Sequence, residues 1–287
     1  MSALFWFNCL AVIGAGIATF TVYKKRHLTG LSTWLVFYLF ATSLPWLGEF
    51  AVLGLFNSYA YKPGVFENPW AENIVGHLIL NSTLWPGVAV LVVGYRLGYG
   101  WISLIAAAFL LLEHLFLSLG IYEHHWWRCY MTAAAIILFL VISKKWFPFM
   151  NKTRRGLPRF ITLYFAAFVI IHLPIPLLLL YGKQYYNVNL AMDMYRSSTI
   201  FILLYQLVET LEVMFFFFFD RWFWKLVPYV ISFAGQIFLA SRNILVIQDD
   251  WSLGYTQLIY AIVLTLCLIM ENYTLRPPAS DGLYKYT

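Results

Sequence analysis

The sequence predicts an all-α fold, a polytopic transmembrane helix bundle of about nine spans, and three observations predict it. Of the 287 residues, 62% are apolar and only 11% are charged, whereas a soluble globular chain carries about 45–50% apolar and about 25% charged residues. Too little charge remains to coat a body of this size in water. The apolar residues fall in nine stretches, most of them longer than the roughly 18 residues that read as a membrane helix. Lys and Arg gather in alternate loops, as they do on the inner side of a membrane. This composition excludes a soluble enzyme, a disordered regulator and a nucleic-acid-binding domain, even with a net charge of +6.

The first stretch, 3–23, stops at Lys24-Lys25-Arg26. It lacks the basic region and small-residue cleavage site of a signal peptide, so it reads as a retained span. Stretch 31–56 contains Pro45 and leads into the aromatic segment Asn57–Asn73. In 74–94, His77 and Asn81 continue a polar stripe begun by Asn73, and Pro86 bends the helix below it. Stretch 101–121 carries Glu113-His114; 127–143 follows YEHHWWR and reaches span length only with Trp126. After the basic run 144–159, stretch 160–181 holds His172 beside Pro174 and Pro176. The last three, 197–219, 226–247 and 252–270, contribute Gln206, Glu209 and Glu212, then Arg242, then a start at Trp251.

With the N-terminus outside, the inner loops hold fourteen Lys and Arg and the outer loops four: Lys62, Arg128, Lys183 and Arg196. The bias predicts an outer N-terminus and an inner C-terminus. No composition shift marks a soluble domain, so 1–287 reads as one membrane domain.

Within it the chain resembles itself. A shift of 125 lays His125-Trp126 on Asp250-Trp251, Tyr130 on Tyr255 and Asn81 on Gln206, and a shift of 129 lays Leu44-Pro45 on Leu173-Pro174. The expected organisation is a first span and inner loop (1–30), two tandem four-helix repeats (31–150 and 151–275), and an inner tail (276–287). An even helix number makes the repeats parallel, related by an axis along the membrane normal. The segment GIYEHHWW between two spans resembles a family of small uncharacterised five-span membrane proteins of spore-forming bacteria, and ILVIQDDWSLGY resembles it more loosely. The resemblance implies a bacterial cytoplasmic-membrane protein and carries no chemistry.

Charge inside a bilayer costs about 2.5–3.5 kcal/mol per residue on insertion scales and therefore marks candidate sites. Lys is absent from the spans, which excludes a retinal Schiff base. Counted at about 1.5 Å per residue, Glu113, His172 and Glu209 fall in one midplane layer. Glu209 and Glu212, at i and i+3, share a helix face, and two carboxyls so close in a low dielectric do not both carry charge cheaply. These three glutamates are the candidate acid–base residues; His77, Asn81, His114, His172, Gln206 and Arg242 are the candidate ligand-binding set. His172 has a second reading, as a partner for carbonyls freed by the prolines.

Cys9, Cys129 and Cys267 are scattered, which signals neither a disulfide framework nor a metal motif. His124, His125, Glu123, His77 and Glu72 could meet at the outer surface. Adjacent histidines point apart on a helix, however, and no HExxH pattern occurs, so no metal or other cofactor is expected. Two functions compete. One is a binder or carrier of an apolar or amphipathic ligand, a lipid or isoprenoid, in a midplane cavity opening outward. The other is an intramembrane acid–base enzyme acting on such a molecule, with aromatic rings stabilising a cation. A third is an accessory subunit of a homo- or hetero-oligomer, its polar residues only holding helices together.

Overall fold

The computed structural model describes residues 2–152, 156–219 and 221–274; the tail 276–287 lies outside them. Among the described residues, nine helices are long and apolar enough to cross a membrane, and the protein is an integral, multi-pass, all-α membrane protein. Helix α1 runs Ala3–Lys25, and α2 runs Leu31–Glu49 before widening into a π-helical segment, Phe50–Leu55. Helices α3 (Pro69–Gly94), α4 (Tyr99–Ser118) and α5 (Cys129–Lys152) follow. The sixth span is broken into α6 (Leu157–His172) and α7 (Pro174–Leu180), where prolines interrupt the backbone ladder. Helices α8 (Met194–Phe218), α9 (Val227–Ser241, led by a 3₁₀ turn at Trp222–Leu226) and α10 (Leu253–Tyr273) complete the bundle.

The helices sort into two shells. In α2, α3, α6–α7 and α8 at least half of the apolar stretch is buried by protein, against a third or less in α1, α4, α5, α9 and α10. Helix α2 packs on α3 and α6, and α6 on α8; α4 pairs with α5, α9 with α10, and α1 lies along α3. Trp34, Phe37, Trp46, Phe168 and Phe216 fill the centre. The peripheral helices keep large apolar side chains such as Leu111, Leu138 and Ile262 exposed, as lipid-facing helices do.

Short strands cap one face. Strand β1 (Tyr59–Tyr61) pairs antiparallel with β2 (Tyr122–His124), with Tyr61 opposite Tyr122 and Tyr59 opposite His124. Strand β3 (Gln184–Tyr186) pairs in the same way with β4 (Leu245–Ile247). The order helix, strand, two helices, strand, helix thus occurs twice after α1. All four strands lie in loops on the face where α1 begins, so this ribbon face contrasts with a basic face bearing Lys24, Lys25, Arg96, Lys144 and Lys145.

Arg242 is placed differently from the sequence expectation. Helix α9 ends at Ser241, and Arg242 is its exposed C-cap residue, lying over the Phe238 ring. The apolar stretch 226–247 absorbs strand β4, whose Leu-Val-Ile is as hydrophobic as a helix end.

Candidate functional site

Glu49, in the last turn of α2, is 8% exposed and is the hub of the polar cluster below the first ribbon. Alternation along β1 sends Tyr59 and Tyr61 to the same side. Both hydroxyls donate to Glu49 Oε1, Tyr59 at 2.7 Å. The base of Tyr61 rests on Gly76 of α3, where a Cβ would collide with its ring. On Oε2 of the same carboxylate sits His77 Nδ1 at 2.5 Å, with Asn81 Nδ2 3.0 Å from that ring nitrogen. Asn73, the first residue of the stripe on α3, accepts the Tyr61 amide at 2.7 Å and so holds the ribbon over the helix.

A second carboxylate stands across the same space. Glu113 of α4, also buried, takes His124 Nε2 at 2.7 Å and the Thr132 hydroxyl at 2.9 Å, both on Oε1. The Trp127 indole donates to Thr132 at 2.7 Å. Between the two carboxylates lies a cavity of about 330 Å³. Its polar wall is Glu49, Tyr59, Tyr61, Tyr122, Glu113 and Thr132, and the rest is apolar, including Leu84, Trp85, Phe109, Phe116 and Phe139. The lining residues that remain exposed are Gly48 on α2 and Leu138 and Ile142 on α5. The mouth therefore opens sideways, between two helices whose outer surfaces face lipid.

A smaller cavity of about 50 Å³ backs onto the first and shares Glu49 with it. His77 and His172 both line this space, on either side of Trp46, with ring centroids 5.7 and 5.0 Å from the indole. His172 Nδ1 lies 2.6 Å from Gln206 Oε1, and the Gln206 amide donates to the Ile171 carbonyl at 3.2 Å. Gln206, rather than His172, satisfies the backbone at the interrupted helix.

The midplane layer is not assembled as the depth count suggests. Glu113 lies five residues from the ribbon-face end of α4, about 8 Å, whereas Glu209 lies fifteen residues from the ribbon-face end of α8, about 22 Å. Glu209 lines neither cavity and accepts the Ser232 hydroxyl of α9 at 2.6 Å. Glu212 is half-buried, and among the described residues the second carboxylate oxygens of both have no hydrogen-bond partner. His114 is exposed on α4 and takes no part in the cluster. Of the nine residues singled out from sequence, Glu113, His77 and Asn81 share the first cluster and His172 and Gln206 adjoin it; Glu209, Glu212, His114 and Arg242 lie elsewhere.

The outer-surface groups are engaged separately. Lys62 pairs with Glu123, whose carboxyl it holds below the usual range. Glu72 accepts the amides of Gly64, Val65 and Phe66. His125 lies 2.8 Å from the Asn57 carbonyl. Sequence reasoning misses Tyr59, Tyr61, Tyr122 and His124 as members of one site because three-residue strands are too short to display a period of two; the only signal is the alternation in YAY and YEH.

The fold and this buried cluster define the class, an integral membrane helix bundle with a lateral, amphipathic cavity. No family model, curated protein or solved structure matches the chain.

Proposed function

We propose that the protein binds a long apolar or amphipathic ligand, a lipid or isoprenoid, by one end. The cavity carries this reading. Its 330 Å³ lies at the small end of the roughly 300–1,000 Å³ range of ligand sites, which suits a headgroup and the first part of a chain. The apolar walls take the chain, and the hydroxyls and carboxylates at the ribbon end take the polar terminus. The remainder of the molecule extends through the gap between α2 and α5 into the bilayer. The sequence suggests an outward mouth; a lateral mouth suits a ligand whose solvent is lipid.

An enzymatic reading has one observation in its favour. Glu49, with two phenols and an imidazole in direct contact, is a proton-transfer set facing an apolar space, the arrangement that acid–base chemistry on an alkene or epoxide needs. Glu113 is the second such group; Glu209 and Glu212 drop out because they do not reach the cavity.

On this proposal the chain sits in a bacterial cytoplasmic membrane with its N-terminus outside and its C-terminus inside, as the loop charges and the resemblance to five-span proteins suggest. The halves 31–150 and 151–275 are tandem copies. Recurring contacts support that: Tyr61 and Tyr186 amides bond to Asn73 and Ser198, and Trp127–Thr132 and Trp251–Thr256 form the same indole–hydroxyl pair. Trp127, not Trp126, is the counterpart of Trp251.

Purification of the full chain into nanodiscs followed by mass spectrometry tests the binding. A lipid or isoprenoid retained at about one per chain in the wild type, and lost when Ala135→Phe, at a lining position on α5, fills the cavity, is the expected result. Absence of any retained apolar molecule, or retention unchanged by Ala135→Phe, would overturn it.

A further inference from the structure

The structure assigns a divalent-cation site of the zinc type to Glu113, His124 and Cys129, and we propose it as a second binding function distinct from lipid capture. The three donor groups come from three elements: α4, strand β2 and the first residue of α5. One donor atom from each lies within 4.8 Å of the others. Among the described residues this is the one such group of His, Cys, Asp and Glu.

The carboxylate supplies an independent observation. Glu113 is 95% buried at its side chain, since 5% is exposed, and Oε1 takes both the imidazole and the Thr132 hydroxyl. Oε2 is buried with no hydrogen-bond partner among the described residues. A buried carboxylate oxygen left without a donor typically costs about 1–3 kcal/mol, more if charged. A cation removes that penalty. Thr132, fixed in turn by Trp127, is placed to hold Oε1 while Oε2 binds, the kind of outer support that metal-binding carboxylates use.

The donor set selects the ion. Thiolate and imidazole favour zinc and its softer neighbours over magnesium or calcium, which take oxygen ligands. Typical Zn–N and Zn–O distances of about 2.0–2.2 Å and Zn–S of about 2.3 Å require the His124–Glu113 contact of 2.7 Å to open slightly and the sulfur to draw in. Three protein ligands leave a fourth position. Of the three donors, Glu113 also lines the large cavity. Among the described residues the second half holds no equivalent: with one ribbon laid on the other, strand on strand, Ile247 stands where His124 does.

Cobalt(II) serves as the probe. Full-length protein in nanodiscs, stripped with a chelator and titrated with Co²⁺, should bind about one equivalent with the intense visible bands of a tetrahedral ion and a thiolate charge-transfer band, and Zn²⁺ should displace it. Cys129→Ser should abolish the charge-transfer band. His124→Ala and Glu113→Gln should weaken binding tenfold or more, while Cys9→Ser, Cys267→Ser and His125→Ala leave it unchanged. Lack of the charge-transfer band, or its persistence in Cys129→Ser, would overturn the assignment. Cys129→Ser is nearly isosteric and removes no hydrogen bond of the cluster, so loss of the band with an unchanged melting temperature reports ligation and not misfolding. Lipid retention, measured on the same samples, answers separately for the ligand cavity.

Discussion

Glu49 accepts hydrogen bonds from two tyrosines on a strand and contacts a histidine on another helix, so one carboxylate joins three segments. Removing it leaves the partners buried without an acceptor, and each such loss typically costs about 1–3 kcal/mol. Glu49→Ala should therefore lower stability by about 3 kcal/mol or more. Glu49→Gln retains the oxygen that both hydroxyls use and should cost about 1–2 kcal/mol. Thermal unfolding in detergent checks the order, and equal melting temperatures for the two variants would remove Glu49 from its place as the hub. Much of this cluster can be sensed from sequence only as isolated buried charges. His77 and Glu113 stand out because ionisable residues are rare in apolar stretches, whereas Glu49, one of several such residues, is not among the candidates and its tyrosine partners leave no such signal. Helix rotation decides which charges meet, and a single sequence does not contain it: Glu113 and His114 are neighbours in the chain, yet one is buried and the other exposed.

At the scale of elements, the ribbon and the crossing of α1 over α3 hold the site in shape. Burial, and next the charge of Glu49, raises the Tyr59 and Tyr61 phenols well above their ordinary value; burial, and next Glu113, does the same for Tyr122. A phenol raised in the folded state keeps its proton where the unfolded chain loses it. Its stabilising contribution is complete below about pH 10 and declines above that, by about 1.4 kcal/mol per pH unit for each such group. Melting temperature should thus fall steeply between about pH 10 and 11, and the phenolate absorbance of these three tyrosines should rise only with unfolding. Ionisation of all twenty tyrosines in still-folded protein at about pH 11 would contradict the burial of the ribbon. At the crossing, a Cβ on Gly87 would overlap the carbonyl of Gly14, and one on Gly14 would overlap the Leu84 backbone. Small residues allow this approach, as in other membrane helix pairs. Gly87→Val should cost about 1–3 kcal/mol by overpacking and loosen α1, read as faster proteolysis near residues 26–30; an unchanged cleavage pattern would oppose this. The spans themselves are legible, because an unbroken run of about twenty apolar residues fits little except a membrane helix. The strands are not, since Leu245–Ile247 continues the apolar composition of α9 and only the turn at Asn243, with its positive φ of 54°, separates them.

Across the whole molecule the two halves share an arrangement of helices and strands but not their polar chemistry. The first carries Glu49, His77, Glu113 and His124 around a cavity; on the proposed duplication, neither shift, 125 or 129, puts an ionisable residue at the place of Glu49, and the second has Ile202, Gln236 and Ile247 where His77, Glu113 and His124 stand. Its Thr256 hydroxyl donates to Gln184 at 2.7 Å instead of to a carboxylate. On that proposal the second half keeps the scaffold with neutral groups at these places, which lowers the cost of burial there, and the proposed binding belongs to the first half. Both ribbons lie on one face, so orientation decides which compartment the cluster adjoins. Loop charge argues that this face is outside. Exposed pairs there, Lys62–Glu123 and Lys183–Asp250, neutralise two of its few cations, whereas the opposite face keeps Lys24, Lys25, Arg26, Arg96 and Lys145 as a positive rim that resists translocation. In a background with all three natural cysteines changed to serine, cysteines introduced at Lys62 and Tyr185 should react with a membrane-impermeant thiol reagent in intact cells. One at Lys145 should react only after the membrane is opened. Tyr185 is half-buried, so its labelling should be slower than that of Lys62 but should reach the same extent. Reaction at Lys145 in intact cells with protection of both ribbon positions would invert the orientation and place the carboxylate cluster, and any metal on it, beside the cytoplasm.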